Sequence, residues 1–133
     1  MEHVINVQDF YEDDLTLGSL DEFKKFIRRR FEEDSNRFIV SCGARWFPNV
    51  RVYVKGANAV AYYTSSDETT MYASVGTHSK GPDITFLDYS GNSIRSTIEL
   101  PHESIISSEL AEMCLIEFAR MGRRLDTIAW LEL

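Results

Sequence analysis

Basic residues are missing where the chain begins. Residues 1–22 contain no Lys or Arg but seven acids: Glu2, Asp9, Glu12, Asp13, Asp14, Asp21 and Glu22. From Lys24 onward fourteen acids meet fourteen bases, so the whole net charge of −7 belongs to that first stretch. A polyanion-binding protein needs a cationic surplus to displace the counterions of phosphate, and here there is none. Apolar runs are short too, well under the ~18–20 residues that span a bilayer. The acidic start Met1-Glu2-His3, with no apolar stretch behind it, predicts no secretory leader. Cys42 and Cys114 stand 72 positions apart with no C-x-x-C pattern, which argues against a disulfide scaffold or a zinc ribbon. His3, His78 and His102 show none of the H-x-x-x-H, H-x-H or H-x-E spacings of metal sites. These absences predict a reduced, cytoplasmic chain without metal or cofactor.

What is there reads as one globular domain over residues 1–133, with 44% apolar and 26% charged residues. Val4 to Val7 form a first strand. Ser19 and Glu22 make an S-x-x-E capping box, and Leu20, Phe23, Phe26, Ile27 and Phe31 continue it as one helical stripe. Residues 37–43 read as a buried strand. Val50 to Lys55 alternates, with valines on one face and Arg51, Tyr53 and Lys55 on the other. Gly56-Ala57-Asn58 turns the chain into a strand over 59–64, and Met71 to Val75 is a further strand. Ile84 to Tyr89 and Ile94 to Leu100 form a second hairpin, which Pro101 ends. Ser107 or Ser108 caps a second helix with the stripe Leu110, Cys114, Phe118 and Met121, closed by Gly122. Residues 127–133 form a last strand with apolar side chains on both faces, the pattern of a central strand. The fold class is α+β: β-α-β(4–5)-α-β, a mostly antiparallel sheet of about six or seven strands with two helices.

Several groups bear on chemistry. His78, Lys80 and His102 are the residue types that a small two-histidine phosphodiesterase or hydrolase would use as general acid and base. Solvated loop histidines are the simpler reading. The cysteines fit buried positions on a strand and a helix stripe. The block Lys24-Lys25-Phe26-Ile27-Arg28-Arg29-Arg30 places Arg28–Glu32 and Arg29–Glu33 at i, i+4, which fits a solvated helix face better than a nucleic-acid patch. Three surface features suit a protein partner: the acidic segment Asp9 to Asp14 with Phe10 and Tyr11 inside it, a polar-aromatic sheet face with Arg51, Tyr53 and Tyr63, and the loop Ser65 to Thr70. The candidate partner contacts are Tyr11, Glu12, Asp13, Asp14, Asp67 and Glu68.

The second half of the chain carries a more specific signal. It combines a Tyr89-Ser-Gly-Asn turn, the extended Ile98-Glu-Leu-Pro101, a helix carrying Glu117-Phe118-Ala-Arg-Met-Gly122, and a final Trp130-Leu-Glu132. These residues resemble the first immunity-protein family of bacterial polymorphic toxin and contact-dependent inhibition systems. In that family an E-F-x-x-x-G helix end and a terminal W-x-E strand recur in small acidic α+β proteins. Members often carry Arg-Pro after the helix glycine, where this chain has Arg123-Arg124-Leu125-Asp126. The resemblance implies a non-enzymatic antitoxin that binds one cognate toxin domain with a basic surface, often a nucleic-acid deaminase or a nuclease, and neutralises it by stoichiometric occlusion. It does not make Phe118, Gly122, Trp130 or Glu132 toxin contacts; the first three, a stripe residue, a cap and a core aromatic, have structural work. An interaction domain with another partner is the remaining alternative.

Overall fold

The computed structural model describes residues 4–77, 79–90 and 95–133. In chain order its elements are β1 (Ile5–Gln8), β2 (Leu15–Leu17), α1 (Leu20–Phe26), β3 (Ser35–Cys42), β4 (Asn49–Lys55), β5 (Asn58–Thr64), β6 (Met71–Val75), β7 (Ile84–Asp88), β8 (Ser96–Leu100), β9 (Ile106–Ser107), α2 (Ser108–Met121) and β10 (Ala129–Glu132). The main sheet runs β10-β6-β5-β4-β3-β1-β2, with β9 added beside β5. Its ladders are antiparallel, so directly paired residues share a face.

One face is the core. Val50, Val52 and Val54 of β4, Phe38 and Val40 of β3, and Ala59 and Ala61 of β5 pack beneath α2 and α1. From the helices come Cys114, Leu115 and Phe118, with Phe23 and Phe26. Helix α2 starts as its sequence dictates, with the Ser107 hydroxyl accepting from the Leu110 N–H at 3.1 Å. It ends at Gly122, whose φ of 69° a side chain would resist. At α1 the Ser19 cap forms, its Oγ accepting from the Glu22 N–H at 3.1 Å and donating to Glu22 Oε1 at 3.2 Å.

The opposite face is only partly covered. β7 and β8 form a separate two-stranded sheet instead of joining the main one. Phe86 and Leu100 from it pack on Tyr53 and Val60. Arg37 holds it down, donating to Asp88 Oδ1 at 2.9 Å and to Ser90 Oγ at 2.8 Å. The hairpin turn expected at residues 90–92 lies mostly outside the described residues.

Three expectations are corrected. The first helix stops at Phe26, and the i, i+4 pairs drawn from a longer helix do not form. Arg28 instead reaches Glu112 of α2 at 2.8 Å, and Arg29 lies 3.6 Å from Asp9 and 3.9 Å from Glu12. Phe31 leaves the stripe to join Phe10 and Tyr11, at ring-centroid distances of 6.5 and 4.5 Å. Packing against residues far along the chain outweighs a short helix's own preference to continue. Second, Met121 of the expected α2 stripe is exposed, and the buried set is Ala111, Cys114, Leu115, Phe118 and Ala119. Third, β10 is an edge strand, not a central one: Trp130 packs on the helix-side core, while Leu131 is 56% and Leu133 64% exposed.

β5 shares one edge between two partners, β9 at Asn58–Ala59 and β6 at Tyr62–Thr64. Between them the Ser74 hydroxyl accepts from the Ala61 N–H at 3.1 Å and donates to the Ser104 carbonyl at 2.7 Å. Just beyond, Gly76 donates to the Glu103 carbonyl at 2.7 Å. A Cβ on Gly76 would lie 1.6 Å from the Ile105 carbonyl oxygen, so only glycine fits this crossing.

Candidate interaction surface

The acidic segment is more ordered than its charge implies. Asp9 is fully buried. Its Oδ1 accepts from the Tyr11 and Glu12 amides at 2.9 Å each, and its Oδ2 accepts from Asn36 Nδ2 at 3.1 Å. Asp9 is therefore a structural carboxylate that turns the chain, not a partner contact. Phe10 is buried and stacks on Tyr89 at 4.2 Å. Tyr11 edges against the same ring, its hydroxyl 3.4 Å from that of Tyr89. Burial, then the hydrogen bond to Tyr11, push the Tyr89 hydroxyl up to about 12. Tyr11 closes the outer side of this cluster and stays exposed; Asp13 and Asp14 are exposed too, and Glu12 is half-exposed.

The loop between β5 and β6 is locked by one carboxylate. Asp67 Oδ1 accepts from Ser65 Oγ at 2.6 Å, Thr69 Oγ1 at 2.7 Å and the Thr69 amide at 3.1 Å. These hydrogen bonds, the Ser65 hydroxyl first, hold Asp67 down to about 2. Glu68 beside it takes φ 65° and extends into solvent.

The six candidate contacts do not form one patch. Gln8 pairs with Ile39 and Ser35 with Lys55, so Tyr11 to Asp14 lie at the Lys55 end of the sheet. Asn49 pairs with Thr64 and Thr64 with Met71, so Asp67 and Glu68 lie at the other end. β3, β4 and β5 stand between β1 and β6.

Beside Asp67 and Glu68 opens a groove of about 460 Å³ on the face opposite the helices. Arg51, Tyr53 and Tyr62 lie along its floor, Trp46 and Phe47 on one side, and Ile98 of β8 on another. Of the polar-aromatic residues expected on this face, Arg51 and Tyr53 are there, but Tyr63 is not. Tyr63 points to the helix side, 6.2 Å from Phe118, where Arg124 sits over it and over Tyr72. Tyr62, the alternate residue of β5, takes the place. Burial raises both the Tyr53 and Tyr62 hydroxyls above the ordinary tyrosine value. The sequence reading did not single out Trp46, Phe47 or Met71. The available signal was a Trp-Phe-Pro run in a loop, where apolar aromatics have no strand or helix stripe to join.

The histidine-based alternative gains no assembled site. His78 lies outside the described residues, and the His102 ring packs against Gly81, 2.8 Å from where a Cβ would stand. Among the described residues no group of three or more His, Cys, Asp or Glu could hold a metal ion. No helix among them is long and apolar enough to cross a membrane. Burial raises both thiols, Cys114 up to about 12, as inert packing residues behave.

The helix-backed sheet thus exposes Trp46, Arg51 and Met71 beside carboxylates on its other face, residue types common at protein interfaces. The family model described as Immunity protein Imm1 matches residues 11–132, and the chain belongs to that family. It is thus an antitoxin whose partner is a toxin protein. It is also similar to the double-stranded DNA deaminase immunity protein of Burkholderia cenocepacia (strain H111), 23% identical over 125 residues, covering 94% of this chain and 98% of that protein. The motif residues behind the expected resemblance are structural: Phe118 is buried, Gly122 is the α2 cap, and Trp130 donates from Nε1 to the Leu125 carbonyl at 2.8 Å.

Proposed function

We propose that this chain, acting as one cytoplasmic domain over residues 1–133 without cofactor or catalysis, neutralises a nucleic-acid deaminase by binding it stoichiometrically and occluding its substrate cleft. The observation that carries this reading is the near full-length match to a double-stranded DNA deaminase immunity protein. Charge supports it. A deaminase must hold a flipped base and its flanking phosphates, which calls for a basic surface. Opposite that surface, a chain of net charge −7 gains association rate, by ~10–10³-fold at low salt for a well-focused field. Glu12, Asp13 and Asp14 at one end of the sheet and Asp67 and Glu68 at the other supply that field, with Tyr11 beside the first group.

The test is titration of the cognate toxin domain with this chain. Deamination should stop at one equivalent, and a one-to-one complex should elute from a sizing column. Full deamination in excess antitoxin, or no complex, ends the proposal; a toxin that cleaves nucleic acid keeps the antitoxin role and corrects the substrate chemistry. Lysine at Glu12, Asp13 and Asp14 should slow association and flatten its salt dependence. An unchanged rate at low salt removes that segment from steering.

A further inference from the structure

Two cross-strand rows build the uncovered face. Arg51, Tyr62, Ala73 and Leu131 are paired successively across β4, β5, β6 and β10. Asn49, Thr64 and Met71 form the next row, which Leu133 extends by donating its N–H to the Met71 carbonyl at 2.8 Å. Met71 and Trp46 are 42% and 43% exposed, a large fraction for side chains of their size gathered at one concavity. Leu131 and Leu133, 56% and 64% exposed, extend the same two rows to the β10 edge of the sheet.

We infer that this groove anchors the toxin: an apolar toxin side chain seats among Trp46, Tyr62 and Met71, and an adjacent toxin Lys or Arg pairs with Glu68. The inference rests on the antitoxin reading above and adds the docking surface and the chemistry of what enters it. Trp, Tyr, Arg and Met are the residue types that carry interface energy when water is excluded around them. The lip sets Asp67 and Glu68 against Arg45, a net excess of one negative charge toward the basic surface a nucleic-acid enzyme needs. Arg51 on the floor offers donors to a carbonyl or carboxylate of the same toxin segment. The floor is sheet, and Asp67 locks the lip by three hydrogen bonds, so little ordering remains to be done on binding. Steering and anchoring thereby separate. The acids at both ends of the sheet set the association rate, and Trp46, Tyr62 and Met71 set the dissociation rate, with Glu68 sharing in both.

The experiment measures association and dissociation of the inactivated toxin domain on wild type, Trp46→Ala, Met71→Ala and Glu68→Lys, with sizing-column profiles of each antitoxin alone. Trp46→Ala and Met71→Ala should each speed dissociation about tenfold or more, leaving association within about twofold. Glu68→Lys should speed dissociation and also slow association. Thermal midpoints should match wild type, because the three residues are exposed or half-exposed; if Trp46→Ala unfolds, Met71→Ala decides alone. Wild-type binding with unchanged dissociation from the variants overturns the groove and leaves the antitoxin reading standing. Absent wild-type binding overturns both. A wild-type homodimer that Trp46→Ala separates, with toxin dissociation unchanged, assigns the groove to a second copy and overturns the inference.

Discussion

The two faces of the main sheet are built from alternate residues of the same strands, yet they are packed in different ways. On β4 the valines at 50, 52 and 54 meet α2 and are at most 3% exposed. One residue out of phase, Arg51 borders an open groove and Tyr53 is covered by Phe86 of the β7–β8 hairpin, 6.4 Å away. β5 repeats the contrast at adjacent positions: Tyr63 packs on Phe118 and Tyr62 lines the groove. One strand thus packs the core on one side and lines the groove on the other, because its period of two keeps the two sets of side chains apart.

If the faces are independent, substitutions on the helix side should unfold the protein and those on the groove side should not. The largest effect is expected for Phe118→Ala, which empties a fully enclosed site and should cost about 3–5 kcal/mol in urea unfolding. A loss below about 1 kcal/mol would mean that α2 is not the support of the sheet. Next is Gly76→Ala, where the new methyl meets the Ile105 carbonyl and the β5–β6–β9 crossing must spread; about 1–3 kcal/mol should be lost. Hydrogen exchange should show the opening first at Ala61 and Gly76, whose amides are held at that crossing. On the other face, Leu131→Ser with Leu133→Ser should change stability by no more than about 0.5 kcal/mol. A larger loss would show that the exposed edge carries packing energy and would break the comparison.

The smallest effect concerns the groove's lip. Asp67 is held at about 2, below its unfolded value, so its ionised form favours the ordered loop above pH ~4. That contribution is lost as pH falls through about 2. Amides of residues 65–70 should lose exchange protection between those pH values in wild type, and Asp67→Asn should show no such step. Matching profiles would remove Asp67 as the lock.

Much of the fold could be read in advance where a signal is local. The Ser19 and Ser107 caps, the Gly122 stop, the Met71–Val75 strand and the alternation of β4 each depend on residues a few positions apart. So did the placement of Phe118, Gly122 and Trp130 as structural. Misreadings occurred where distant partners compete. Spacing alone extends the α1 stripe to Phe31, because it cannot see the Phe10, Tyr11 and Tyr89 rings that draw it away. β10 looked central because Leu131 and Leu133 are apolar, and apolarity does not say whether anything lies above. The candidate surface was legible only in parts. Arg51, Tyr53, Asp67 and Glu68 stood out individually, but that Asp67 and Glu68 share a pole with Trp46, Met71 and Tyr62, away from Tyr11 to Asp14, requires the strand order.

Amino-acid order therefore suffices for the acidic first segment, the α+β class and the family motifs, since composition, capping and short periodicities need no knowledge of contacts. Tertiary packing alone settles which acids are structural, which tyrosine of the 62–63 pair faces the groove, and where the sheet is left uncovered. Burial depends on the β7–β8 hairpin lying down as its own sheet, pinned by Arg37 to Asp88 fifty-one positions away. Asp88 and Phe86 of β7 make that placement only with partners in β3 and β4, so no pattern local to β7 or β8 announces the groove beside it.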